Sequence, residues 1–231
     1  MTHTLADDGR RYSLIIFDWD GTLMDSTHSI VSSIQKACAD LDLPVPSDAI
    51  ASWVIGLSLD QALQRVVPEL SQDMLPRFIE RYRVHYLLRD HELKLFEGVH
   101  GLLGTLSGAG VQTAVATGKS RLGLSRALAA TGLEGHFAAT RCADETHSKP
   151  NPAMLFELMD ELMVPPEQVL MIGDTTHDLN MAANAGVHGL GVTYGAHPPE
   201  ELNRAAHVGL VNDVVELRGW LRPRLHENRH S

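Results

Sequence analysis

Two hydrophobic patterns alternate along the chain. Short, continuous apolar runs end on glycine or polar residues, at about residues 12–18, 111–117, 139–143, 169–174 and 189–194. Runs of this length with such boundaries predict strands buried on both faces, the pattern of parallel sheets. Between them, apolar residues recur at helical spacing, at about residues 98–108, 120–131, 152–163 and 178–185, with Asn151 expected to cap the third of these. An alternation of this kind predicts an α/β fold with a mainly parallel sheet covered by helices.

One block departs from the alternation. From residue 25 to residue 97 the pattern is helical throughout: Ile30, Ile34, Ala37, Cys38 and Leu41 on a first stripe behind a Ser26 N-cap, then 49–54, 59–67, and Met74, Phe78, Ile79, Tyr82, His85 and Leu88. Pro44 and Pro46 end the first helix, and no strand pattern appears. A helix-only insert after the first strand predicts two units. Residues 1–24 and 98–231 form the core domain, and residues 25–97 form a small all-helical cap with hinges near Met24-Asp25 and Phe96-Glu97-Gly98. At the periphery, residues 1–11 are expected to be loose, 208–210 an edge strand, 212–220 a closing helix and 222–231 a frayed tail.

Composition narrows the function. A chain of 231 residues can hold one sizeable core plus a smaller unit. Its formal charge of -10, with no basic run, argues against nucleic acid and anionic lipid as partners, so an anionic substrate needs local positive charge. Cys38 and Cys142 are too few for a disulfide framework, and no zinc-ligand spacing occurs. The first residues lack the apolar core of a signal peptide and no run is long enough to cross a bilayer, which gives a cytoplasmic expectation. Nothing in the sequence addresses oligomeric state.

The candidate chemistry sits at the strand ends. Alternation puts Asp18 and Asp20 on one side of the chain where the first strand finishes, and Gly21 permits a sharp turn just beyond. Thr117-Gly118 closes the second strand, Lys149-Pro150 ends the loop after the third, and Asp174 with Asp178 follows the fourth. Each has a plain local alternative: Asp-Gly as a turn, the later acids as partners of a helix N-terminus, Lys149-Pro150 as a surface loop. Four such signals at the end of a parallel sheet where ligands bind argue for a site. Hydrolysis of a phosphomonoester needs a nucleophile, a proton donor to the leaving oxygen and positive charge against the phosphoryl group. Asp18 and Asp20 fit the first two and Lys149 the third, while Thr117 and the Gly118 amide can bind the non-bridging oxygens. Carboxylates this close repel one another and a phosphate, a conflict that Mg²⁺ resolves.

Asp18-Trp19-Asp20-Gly21-Thr22, Thr117-Gly118, Lys149-Pro150 and Gly173-Asp174-Thr175-Thr176-His177-Asp178 resemble, in order and separation, the four motifs of the haloacid dehalogenase-like hydrolase superfamily. The resemblance spans the whole chain and is nearest to phosphoglycolate phosphatase-like enzymes. It implies a Rossmann-like three-layer core with the first strand central and a helical cap. It further implies an aspartyl-phosphate formed on Asp18, with Asp20 as acid and base and Gly21, Thr117, Gly118 and Lys149 around the phosphate. Mg²⁺ would be held by Asp18, Asp174 and the backbone carbonyl of Asp20, with Asp178 in support. The cap turn Gly56-Leu57-Ser58 would select the leaving group. The implied substrate is a small phosphorylated metabolite, 2-phosphoglycolate first. A pyrophosphatase, a sugar-phosphate phosphatase, a phosphoglucomutase-like transferase, a haloacid dehalogenase and a non-enzymatic binding module stay open, although the dehalogenase needs neither Mg²⁺ nor Asp20.

One departure bears on substrate: Thr117-Gly118-Lys119 stands where many such enzymes have Thr-Asn. His28, His147 and His177 are expected to be exposed or one layer behind the site, and Trp19 to be packing. Arg65, Arg77, Arg81, Arg83 and Arg89 are expected on solvated cap faces, with one of them a candidate for substrate contact.

Overall fold

The computed structural model describes residues 4, 8–68, 70–71, 73–89 and 93–225. The first apolar run forms β1 (Leu14–Phe17), whose four residues are all buried. It pairs in parallel on both sides, Leu14 with Gln112 of β4 (Gln112–Thr117) and with Val169 of β6 (Val169–Gly173). With β5 (Ala139–Cys142), β7 (His188–Val192) and β8 (Gly209–Val211) the six-stranded sheet has the order β5-β4-β1-β6-β7-β8. Every pairing in it is parallel.

Side-chain alternation builds the layers. Ile15 and Phe17 join one apolar cluster with Leu102 and Leu106 of α5 (Val99–Gly108), Leu124 of α6 (Arg121–Thr131) and Leu217 of α10 (Val214–Leu221). Leu14 and Ile16 join another, with Leu155 and Leu158 of α7 (Ala153–Leu162) and Met181 of α8 (Thr176–Ala185). The result is the three-layer α/β core expected. Trp19 is buried in the first cluster with its ring edge-on to Phe137, so it packs.

The insert carries α1 (Thr27–Asp40), α2 (Asp48–Trp53), α3 (Leu59–Val66) and α4 (Leu75–Leu88), which close over a cluster of their own including Ile34, Leu63 and Phe78. Its body is helical, as expected. Its neck is not: β2 (Met24–Asp25) and β3 (Lys94–Leu95) pair antiparallel, so Met24-Asp25, expected as one hinge, forms a ribbon with the residues just before Phe96-Glu97-Gly98, expected as the other. Two-residue strands are too short to leave a periodic signal, which is why no strand was expected there. A short α9 (Pro199–Leu202) also escaped the pattern. The fifth strand stops at Val192, short of Tyr194. The α7 helix starts after Pro152, while Asn151 still accepts a hydrogen bond from the Ala153 amide. Of the expected loose segment and tail, residues 1–3, 5–7 and 226–231 lie outside the described residues. Among the described residues no helix is long and apolar enough to cross a membrane. Both cysteines are free and buried, and burial pushes the thiols of Cys38 and Cys142 up to about 11 and about 12.

Candidate active site

Every motif reaches the C-terminal edge of the sheet. Asp18 follows β1, its amide held by the Ile172 carbonyl, and its Oδ1 accepts from the Trp19 amide at 2.6 Å. Lys149 is fully buried, with Nζ 2.8 Å from Asp18 Oδ1 and 2.7 Å from Asp178 Oδ1. Asp178 is fixed from behind by a reciprocal cap at the start of α8. Its Oδ2 accepts from the Thr175 amide and hydroxyl, while the Thr175 hydroxyl accepts from the Asp178 amide. Asp174 accepts from the Thr22 hydroxyl at 3.0 Å and the Ala196 amide at 2.7 Å.

Carboxylate oxygens of Asp18, Asp174 and Asp178 lie within 4.8 Å of one another, a group able to hold a metal ion. Asp18 Oδ2, although buried, has no hydrogen-bond partner among the described residues. Burial pushes the Asp18 carboxyl well above the usual range; Lys149 opposes this, and Asp178 and Asp174 add to it. Burial, then repulsion from Asp178, pushes Asp174 up to about 7. Burial would lower Lys149, but Asp178 and Asp18 outweigh it and raise its pKa. Fully ionised, three buried carboxylates around one ammonium would carry excess negative charge, and without a cation the fold holds Asp18 and Asp174 toward their protonated forms instead. A divalent cation with oxygen ligands is the group that fits this donor set.

Asp20 faces differently from Asp18. Both its oxygens are held by Lys119 Nζ, at 2.9 and 3.0 Å, and Oδ1 also accepts from the Ser26 hydroxyl at 2.6 Å. Ser26 was expected to cap α1; its hydroxyl makes no cap bond and goes to the carboxylate instead, the stronger acceptor. Gly21, expected around the phosphate, donates its amide to the Met24 carbonyl at 2.8 Å. Its lack of a side chain leaves room for Asp174, since a Cβ there would lie 2.1 Å from Asp174 Oδ2. Thr117 is buried at the end of β4.

The insert is seated on this edge. A Cβ on Gly118 would lie 2.4 Å from the Leu57 carbonyl oxygen, so the Gly56-Leu57 backbone occupies the space a side chain would take. A Cβ on Gly56 would lie 3.8 Å from Asp18 Oδ2. The Ser58 amide donates to Ser148 Oγ at 2.9 Å, and Lys119 Nζ donates to the Tyr86 hydroxyl of α4 at 2.9 Å. Two histidines complete the seating, each Nε2 2.9 Å from the Trp53 carbonyl. The Thr176 amide donates to His197 Nδ1, which leaves the His197 proton on Nε2 to donate to Trp53. Burial pushes His177 down to about 4, so it donates as a neutral ring. His28 and His147 are exposed.

Sequence reasoning did not single out Ser26's partner, His197, Tyr86 or the Lys119 contact with Asp20. Of the arginines, Arg65 covers the Trp53 ring at 3.8 Å, Arg81 pairs with Asp40, Arg89 donates to Ser32, and Arg83 lines the cavity over the site. That cavity, about 490 Å³, runs from Asp18, Asp20, Thr117 and Gly118 to the apolar wall of the insert.

A profile of the family described as haloacid dehalogenase-like hydrolase matches residues 15–192. The protein named "Probable phosphatase IndB" of Dickeya dadantii is 34% identical over 213 residues, which cover 89% of this chain and 92% of that protein. Phosphoglycolate phosphatase of Vibrio vulnificus is 30% identical, covering 88% of this chain and 93% of its own. The crystal structure of a hydrolase from Pseudomonas syringae shares the fold with a TM-score of 0.85 at 24% identity, over 92% of this chain and 99% of that one. An α/β fold with an acidic cluster at the C-terminal edge of its sheet is thus joined by a family match over most of the chain. The chain belongs to the haloacid dehalogenase-like hydrolase family.

Proposed function

We propose that the chain is a Mg²⁺-dependent phosphatase of a small phosphorylated metabolite, with residues 25–97 acting as a cap over a core of residues 1–24 and 98–231. One observation carries the chemistry: Asp18 Oδ2 is a buried carboxylate oxygen with no hydrogen-bond partner among the described residues, on a residue that lines the cavity and belongs to a three-carboxylate cluster. Asp18 and Asp174, with the backbone carbonyl of Asp20, would hold Mg²⁺, while Asp178 positions Lys149. When bound, the ion neutralises the carboxylates and polarises the phosphoryl group.

Asp18 attacks phosphorus, the bond from phosphorus to the leaving oxygen breaks, and Asp20 donates a proton to that oxygen. Asp20 then takes a proton from water, which attacks the aspartyl-phosphate and frees inorganic phosphate and Asp18. Lys149, Thr117 and Gly118 hold the non-bridging oxygens. The Lys119 and Ser26 contacts aim the Asp20 carboxyl, which supports separate roles for the two acids. The names of the relatives make 2-phosphoglycolate the first compound to test.

The test is phosphate release by the purified chain from a panel with 2-phosphoglycolate, sugar phosphates, pyrophosphate and a haloacid, with Mg²⁺ and after chelation. Metal-dependent release from a monoester is expected. Halide release without metal, or no turnover by a folded protein, would overturn it.

A further inference from the structure

The cap in this structure is already down. Trp53, Ser58 and Tyr86 are hydrogen-bonded to core residues, and the Gly56-Leu57 backbone lies against Gly118. The 490 Å³ cavity is therefore the space that remains beneath a seated cap, and it falls within the range of pockets that enclose ligands much larger than a two-carbon acid. Ile30, Ile34, Ile55 and Ile79 line its cap side. Tyr82 lines it as well, its ring stacked on Tyr86 at 5.9 Å.

This wall is a poor match for a short carboxylate. Among the described residues the cations that line the cavity are Lys119, Arg83 and Arg126. Lys119 is engaged by both oxygens of Asp20 and by Tyr86, and the two arginines are exposed side chains. Glycolate would leave water against the apolar wall where it is open, chiefly at half-buried Ile79 and Tyr82, an unfavourable arrangement that an apolar body removes. A planar ring would also stack on the Tyr82 pair.

We propose that the cavity takes a phosphomonoester whose leaving alcohol carries an uncharged, ring-sized aromatic body. This rests on the phosphatase reading above and deepens it. Burying such a ring should raise kcat/KM roughly tenfold or more over a charged two-carbon leaving group.

The experiment compares benzyl phosphate with 2-phosphoglycolate, using the full chain with Mg²⁺, in the wild type and in Ala62→Phe and Ile79→Trp, which add bulk to the cavity wall. Benzyl phosphate is expected to be the better substrate by about tenfold or more, and each variant to lower its kcat/KM at least about fivefold more than that of 2-phosphoglycolate. Ala62 is buried, so half-buried Ile79 supplies the second variant if the first does not fold. Equal or better turnover of 2-phosphoglycolate, or equal losses on both esters, overturns the proposal. If neither ester is hydrolysed, the phosphatase reading is judged by the wider panel above, and calorimetry decides the ligand class separately. Phenethylphosphonate binding more tightly than 3-phosphonopropanoate supports it, and the reverse order overturns it.

Discussion

Lys119 holds Asp20 by both carboxylate oxygens, at 2.9 and 3.0 Å, and reaches the cap through Tyr86 with the same ammonium. One residue thus aims the proposed acid and ties it to the helical insert. Proton transfer is sensitive to such aim, because the donor must lie within hydrogen-bond reach of the leaving oxygen.

Lys119→Met should therefore lower kcat roughly ten- to hundredfold in a folded protein, and Lys119→Arg should recover part of it. Steady-state kinetics beside a circular dichroism check of folding would measure this. A Met variant with wild-type kcat would mean that Asp20 needs no help in pointing.

Asp18→Asn should separate activity from stability. An amide is no nucleophile here, so turnover should drop by at least about a thousandfold. The same change removes a carboxyl whose charged form is disfavoured by burial and by its neighbours Asp178 and Asp174. The metal-free variant should melt no lower than the metal-free wild type, even though Lys149 loses one of its two partners. Residual activity near wild type would exclude Asp18 as the nucleophile.

Mg²⁺ should stabilise the protein more as pH rises. In the metal-free fold Asp174 titrates at about 7, above its ordinary 3.8. A raised carboxyl keeps its proton in the folded state, so its contribution to stability is present below pH 4 and is lost as pH climbs through 7. Metal binding must displace that proton below pH 7, which weakens it there. The rise in Tm on adding Mg²⁺ should accordingly be larger at about pH 7.5 than at about pH 5. A rise independent of pH would place the ion away from these acids.

What could be read from sequence was local. The strands that lead to Asp18, Thr117 and Asp174 are apolar runs ending on Asp, Thr-Gly and Gly-Asp, so pattern and candidate residue are read together. The contacts that seat the cap are long-range. Trp53 meets His177 and His197 across separations of 124 and 144 residues, through a backbone carbonyl that no residue type announces. Lys119 and Asp20 are 99 residues apart. Ser26 shows how a correct local rule can meet a stronger partner: its hydroxyl suits a helix cap, yet a buried carboxylate lies closer.

Gly118 is where sequence and structure together say most. It stands at the position where the resembling enzymes often carry Asn, a change that by itself says only that a side chain is missing. The structure shows what fills the gap, with the Leu57 and Gly56 carbonyl oxygens 2.4 and 2.7 Å from where a Cβ would be. Backbone cannot yield at such distances, so Gly118→Asn should lift the 56–58 turn and strain the Ser58 bond to Ser148 and the Trp53 bonds to the histidines. KM for a cap-enclosed substrate should rise roughly tenfold, equivalent to about 1.4 kcal/mol of lost closure. A lost phosphate contact could raise KM too, so the deciding measurement is amide hydrogen exchange over residues 54–60. Faster exchange at Ser58 in the variant, without ligand, is expected from a lifted turn. Unchanged exchange there would show that the cap has room for a side chain at 118 and that the glycine serves the phosphate alone.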